Sequence, residues 1–241
     1  MPHIRRLKNY IPLRLVSRGE KGLVITMKLI ELFRECICFD GYIPTPMSGD
    51  YKIVFNGRVA EIYFQHSDGF WDWVSNFDFA VRPYKRMDSE WRCHRGFLRV
   101  FKAMRDEIAA IIGEAVRDGR IDKAVCVGYS HGAPLALLAV EDLSFRFGDR
   151  ISVCGFGFGA PRVIWGKLPE DVRERVSGFT AVNVAGDLVS NLPPKLFGFK
   201  DPDNVCILAS KGDYGPIEAH VYTSIIAELE KIPQKENCKC P

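Results

Sequence analysis

Apolar positions along the chain follow two periods that exchange with one another. Two runs rich in β-branched and aromatic residues, Tyr51–Phe55 and Val59–Phe64, flank Asn56-Gly57, a dipeptide suited to the positive φ angles of a two-residue hairpin turn. An antiparallel pair is therefore predicted. Phe97, Val100, Phe101, Met104, Ile108 and Ile112 then recur at helical spacing, with Gly119 as the stop. Downstream, Lys123–Tyr129 reads as a buried strand, about Ala133 to Phe147 as a helix, and Ile151–Gly155 as a strand. Glu170–Val176 reads as a short helix and Phe179–Val184 and Asn204–Ala209 as strands, before a closing amphipathic helix over Val221–Ile232.

Alternating strand and helix favours an α/β fold: a mostly parallel central sheet led by an antiparallel hairpin, with helices on both faces. Reactive groups in such folds gather beyond the carboxyl ends of the strands. The 241 residues, 47% hydrophobic and 26% charged, suit one globular domain, since a chain of this length buries roughly 70–75% of its unfolded surface. No repeat or low-complexity linker divides it. Residues 1–26 are charged and weakly periodic, which reads as a loosely held extension, or as upstream sequence with Met27 as the start; the single domain is assigned to residues 27–241.

The charge balance adds little. A net charge of +3, spread among nearly equal numbers of acids and bases, gives no footprint for nucleic acid. Cys126, Cys154 and Cys206 lie within apolar runs, where a thiol behaves as a small hydrophobe. Cys36 with Cys38 and Cys238 with Cys240 lack zinc-site spacing, so no metal or organic cofactor is expected. No run approaches the ~18 apolar residues of a spanning helix. Lys28 and Glu31 break the only stretch resembling a secretory core. Reduced thiols and no leader predict a cytoplasmic location.

The chemistry centres on Gly128-Tyr129-Ser130-His131-Gly132, a G-x-S-x-G pattern directly after a strand and before a helix. Gly128 and Gly132 relieve the clashes of a sharp turn, and Pro134 suits the first helical turn. A serine there projects its hydroxyl beyond the sheet, above a helix N-terminus that favours negative charge. Serine attacks a carbonyl only when an imidazole takes its proton, and the imidazole needs a carboxylate to fix its tautomer. With the hydrolase order of serine, then acid, then histidine, His220 is the candidate base, because His3, His66 and His94 precede the elbow and His131 adjoins the serine. Asp187, two residues beyond the strand Phe179–Val184 and its Ala185, is the leading acid; Asp201, Asp203 and Asp213 compete.

Several further segments, in order, resemble the class 3 lipases, the family of the fungal triacylglycerol lipases. His94-Arg95-Gly96-Phe97 is similar to the family's His-x-Gly-Phe, and Val127–Ala133 to its elbow. Phe158-Gly159-Ala160-Pro161-Arg162-Val163 resembles its Phe-Gly-x-Pro-Arg-Val. Gly186-Asp187-Leu188-Val189 with Leu192-Pro193-Pro194, and His220 with Tyr222, complete the pattern over roughly Ile53–Tyr222. The resemblance implies an α/β-hydrolase fold with Ser130, Asp187 and His220 as catalytic residues, and Ser67 with the His131 amide as the oxyanion hole. Gln65-His66-Ser67 departs from the family's Arg-Gly-Ser or Arg-Gly-Thr there. It also implies a lid over residues 68–93, whose Phe70, Trp71, Trp73 and Phe77 would touch the acyl chain and meet a lipid surface transiently; Tyr84 and Trp91 belong to the same aromatic set. The expected function is ester hydrolysis on acylglycerols or other lipid esters. A catalytically weak or inactive binding protein on the same scaffold is the alternative.

Overall fold

The hairpin at Tyr51–Phe64 and four later strands lie side by side in one sheet. The computed structural model describes residues 29–47, 49–65, 80–85, 90–209 and 213–232. In chain order the helices are α1 (Leu29–Ile37), α2 (Arg95–Arg117), α3 (Gly132–Phe147), α4 (Glu170–Val176) and α5 (Tyr222–Glu230). The strands are β1 (Tyr51–Asn56), β2 (Val59–Phe64), β3 (Val81–Lys85), β4 (Glu90–His94), β5 (Lys123–Tyr129), β6 (Ser152–Phe158), β7 (Ile164–Trp165), β8 (Phe179–Val184), β9 (Phe199–Lys200) and β10 (Asn204–Leu208).

The main sheet has the order β1-β2-β5-β6-β8-β10. β1 and β2 pair antiparallel about Asn56 and Val59, and every later neighbour is parallel. Side chains of a strand alternate between faces, so the sheet divides two apolar cores. Ile62, Phe64, Ala124 and Cys126 pack on one face with Phe101 and Met104 of α2, Leu135 of α3 and Val172 of α4. Val125, Val127, Phe156 and Val182 face the other way, toward Phe33 of α1 and Ile225 and Leu229 of α5. This is the mostly parallel arrangement expected from the strand and helix order, and it agrees with the α/β-hydrolase fold that the family resemblance implies.

β6 runs three residues beyond the predicted Gly155. Glycine ordinarily punctuates a strand, but here it lets helix and sheet approach: a Cβ on Gly155 would lie 2.7 Å from both the Cys126 carbonyl oxygen and a Val140 methyl. The extension brings Phe158 beside Tyr129.

A second, antiparallel sheet of order β3-β4-β7-β9 was not anticipated. It corrects part of the lid reading. Tyr84 and Trp91 sit opposite each other in the β3–β4 register, their rings 5.6 Å apart and edge to face, and both are buried. The Tyr84 hydroxyl lies 3.1 Å from Asp142 of α3. These two aromatics are core, and residues 81–85 and 90–93 of the proposed lid are strand. Ser67, Phe70, Trp71, Trp73 and Phe77, with His66 and the 1–26 extension, lie outside the described residues.

Candidate active site

β5 ends at Tyr129, and the chain reverses through Ser130, which adopts φ 53°. A non-glycine residue in that left-handed region costs about 1–3 kcal/mol and persists only where its surroundings fix it. The Ser130 N–H donates to the Phe158 carbonyl at 2.9 Å, and the Ser130 carbonyl accepts from the Ala133 N–H at 3.1 Å. The flanking glycines follow from close packing: a Cβ on Gly128 would overlap the Gly132 carbonyl, and one on Gly132 the Phe64 carbonyl.

Asp187 stands at the carboxyl end of β8, after Gly186 at φ 89°. Its Oδ1 accepts N–H bonds from Val189 at 2.7 Å and Ser190 at 3.3 Å, at the start of a short 3-10 turn. Its Oδ2 lies 3.0 Å from His220 Nδ1. His220 ends the turn Glu218–His220 just before α5, and its Nε2 lies 2.8 Å from Ser130 Oγ. With a carboxylate facing Nδ1, the proton belongs on that nitrogen, leaving Nε2 to accept from the serine hydroxyl. All three residues are buried, Ser130 and Asp187 completely. Of the competing carboxylates, Asp201 pairs with Arg162 at 2.5 Å and Lys195 at 2.6 Å, and Asp203 with Arg173 at 2.7 Å.

Three further residues shape the site without having been singled out for it. Gly159, at φ 54°, leaves room for the imidazole: a Cβ there would sit 2.8 Å from His220 Cε1. Asn183 on β8 accepts the Ala160 N–H at 2.8 Å, fixing the turn after β6. Tyr129 stacks on His220, and its hydroxyl donates to the His220 carbonyl at 2.8 Å. Tyr129 was visible only as the unspecified position of the G-x-S-x-G pattern, and no periodicity marks what a strand-end side chain will meet. His131, by contrast, turns its buried ring toward Phe97 of α2 at 5.4 Å, which leaves its backbone at the α3 N-terminus beside Ser130.

Residues 62–197, more than half of the chain, match the family model described as lipase (class 3). The chain belongs to the class 3 lipase family. A secreted mono- and diacylglycerol lipase from Malassezia restricta is 33% identical over 109 residues, 44% of this class 3 lipase; the match spans about a third, 36%, of that relative's length. Among solved structures, lipase II from Rhizopus niveus superposes with a TM-score of 0.59 at 22% identity, over 66% of this chain and 61% of that one. A lipase from Rhizopus microsporus var. chinensis gives 0.60 at 20%, over 79% and 71%. A triacylglycerol lipase whose catalytic centre is described as a serine protease triad gives 0.55 at 24%, over 66% and 63%. At these identities the structural likeness carries the fold.

The relative from Malassezia corrects the cytoplasmic location expected above, because it is a secreted enzyme. The inference from thiols failed for a physical reason. Cys36, Cys93, Cys126 and Cys154 are each buried, and burial pushes the Cys36 and Cys93 thiols up to about 12. Such thiols are inert whatever the redox poise around them, so they say nothing of compartment. Among the described residues, no helix is long and apolar enough to cross a membrane.

Proposed function

We propose that this class 3 lipase hydrolyses acylglycerol esters, with Ser130 as nucleophile, His220 as general base and acid, and Asp187 as the carboxylate that orients the imidazole. The observation that carries this reading is the continuous relay from Ser130 Oγ to His220 Nε2 at 2.8 Å and from His220 Nδ1 to Asp187 Oδ2 at 3.0 Å. Both distances lie in the range in which a proton passes between heavy atoms. The family and its relatives, a mono- and diacylglycerol lipase and a triacylglycerol lipase, support the substrate class.

In this mechanism His220 Nε2 takes the Ser130 proton as Oγ attacks the ester carbonyl. The tetrahedral oxyanion develops beside the α3 N-terminus, where the His131 N–H and, by family resemblance, Ser67 donate to it. Asp187 stabilises the imidazolium without taking its proton. The intermediate collapses, and His220 delivers the proton to the departing alcohol. Water then attacks the acyl-enzyme with His220 again as base, releasing the fatty acid and restoring the serine. Because Ser130 is fully buried, an ester reaches Oγ only after the surface above it moves.

Ser130→Ala is expected to lower ester turnover by about a million-fold while leaving the far-ultraviolet spectrum unchanged. Retention of most esterase activity in the folded variant contradicts the assignment. A chain-length series of mono-, di- and triacylglycerols on the wild type then defines the preferred ester.

A further inference from the structure

The residue before the nucleophile touches the candidate base twice, from a position 91 residues away in the chain. The ring of Tyr129 lies nearly parallel to the His220 imidazole, with centroids 5.5 Å apart and planes 24° apart. Its hydroxyl donates to the His220 backbone carbonyl at 2.8 Å. On another side, Phe33 of α1 meets the Tyr129 ring edge to face at 5.5 Å; Phe33 is itself fully buried and packed on Phe158 at 4.6 Å.

We propose that Tyr129 is a positioning residue of the active site, which fixes the backbone and the ring plane of His220 relative to Ser130. The proposal rests on the reading of Ser130 and His220 as nucleophile and base. His220 is carried by a three-residue turn between β10 and α5 rather than by the sheet, so the strands do not set its position directly. The contacts of Nδ1 with Asp187 and of Nε2 with Ser130 lie at the ring's edge and resist its tilt out of plane least. The stacked phenol ring opposes that tilt, and the hydroxyl ties down the backbone that carries the ring. Since Tyr129 adjoins Ser130, base and nucleophile share one mount. The geometry matters because Nε2 must serve the serine oxygen and the leaving oxygen in turn, and displacement by about 1 Å costs on the order of 100-fold in rate. A leucine keeps an apolar side chain there but would neither stack nor donate.

The test compares wild type, Tyr129→Phe and Tyr129→Leu, each titrated with a fluorophosphonate to count competent serines, then assayed on a soluble p-nitrophenyl ester for kcat per titrated site and KM. Thermal unfolding is followed separately. Tyr129→Phe keeps the stack and loses the bond, so kcat per site is expected to fall about 10-fold. Tyr129→Leu loses both contacts and should fall about 100-fold, with KM within about twofold in each case. A residue that serves stability alone would lower the melting temperature or the number of titratable sites while leaving kcat per site unchanged; that result overturns the proposal. If Tyr129→Leu does not fold, Tyr129→Phe, which differs by one oxygen, decides it. A wild type that the probe does not label defeats the nucleophile assignment, and this proposal with it. A labelled wild type with undiminished Tyr129→Phe turnover defeats the positioning role alone.

Discussion

His94 precedes the elbow in the chain and His220 follows it; both are buried, and their nitrogens meet different groups. His94, at the N-terminus of α2, accepts the Gly96 N–H on Nδ1 at 3.1 Å and packs on the rings of Phe97 at 4.6 Å and Phe199 at 5.8 Å. Burial pushes its pKa down to about 4. Its Nδ1 is committed to capping a helix, so its imidazole stays neutral. His220 is as well buried, yet its two nitrogens face a carboxylate and a hydroxyl. Burial makes a histidine hydrophobic filler or a base according to what its nitrogens meet. In the proposed mechanism the carboxylate makes the difference, because it stabilises the imidazolium that proton transfer creates.

The largest expected separation between the two is kinetic. His220→Ala should reduce ester turnover by about a million-fold without unfolding the protein, whereas His94→Asn, which keeps a capping side chain, should retain turnover per folded molecule within about threefold. Comparable losses in both variants would dissolve the distinction. A smaller effect concerns acid stability. The unfolded chain takes up a proton on His94 below its ordinary 6.5, while the folded protein resists until about 4. The stability that neutral His94 confers is therefore complete above pH 6.5 and is lost as pH falls toward 4, on the order of 3 kcal/mol in all. Denaturant unfolding at pH 7 and pH 4 should accordingly show a smaller acid-induced loss in His94→Asn than in wild type. Equal losses would mean that His94 is already protonated in the folded state.

The sequence made the scaffold of the site legible because its elements are long and periodic or marked by glycine. Asn56-Gly57 announced the hairpin, and the strand, glycine and helix around Ser130 announced the elbow. Asp187 stands out as a candidate acid because it follows a strand end; the sequence leaves Asp201 and Asp203 open beside it, and the structure pairs those two with Arg162, Lys195 and Arg173. Strands β3, β4, β7 and β9 escaped notice for a different reason. β3 carries Arg82 and Pro83, β7 and β9 have two residues each, and such short or interrupted runs have no readable period. α1 is hidden because Leu29–Phe33 reads as the end of a leader-like stretch around Leu23 to Phe33, whereas Leu32, Phe33 and Cys36 form a buried helical face. Tyr129 could not be found at all from one chain, since its role depends on a histidine that reaches it only through the fold.

The central claim is that Ser130 is the nucleophile, and phosphonylation mapping tests it most directly. Wild-type protein treated with a fluorophosphonate and analysed by peptide mass spectrometry is predicted to carry one adduct, on the peptide containing Ser130, and to lose ester hydrolysis in proportion to its formation. An adduct on another serine that accounts for the loss of activity, or full activity after Ser130 is modified, would contradict the account.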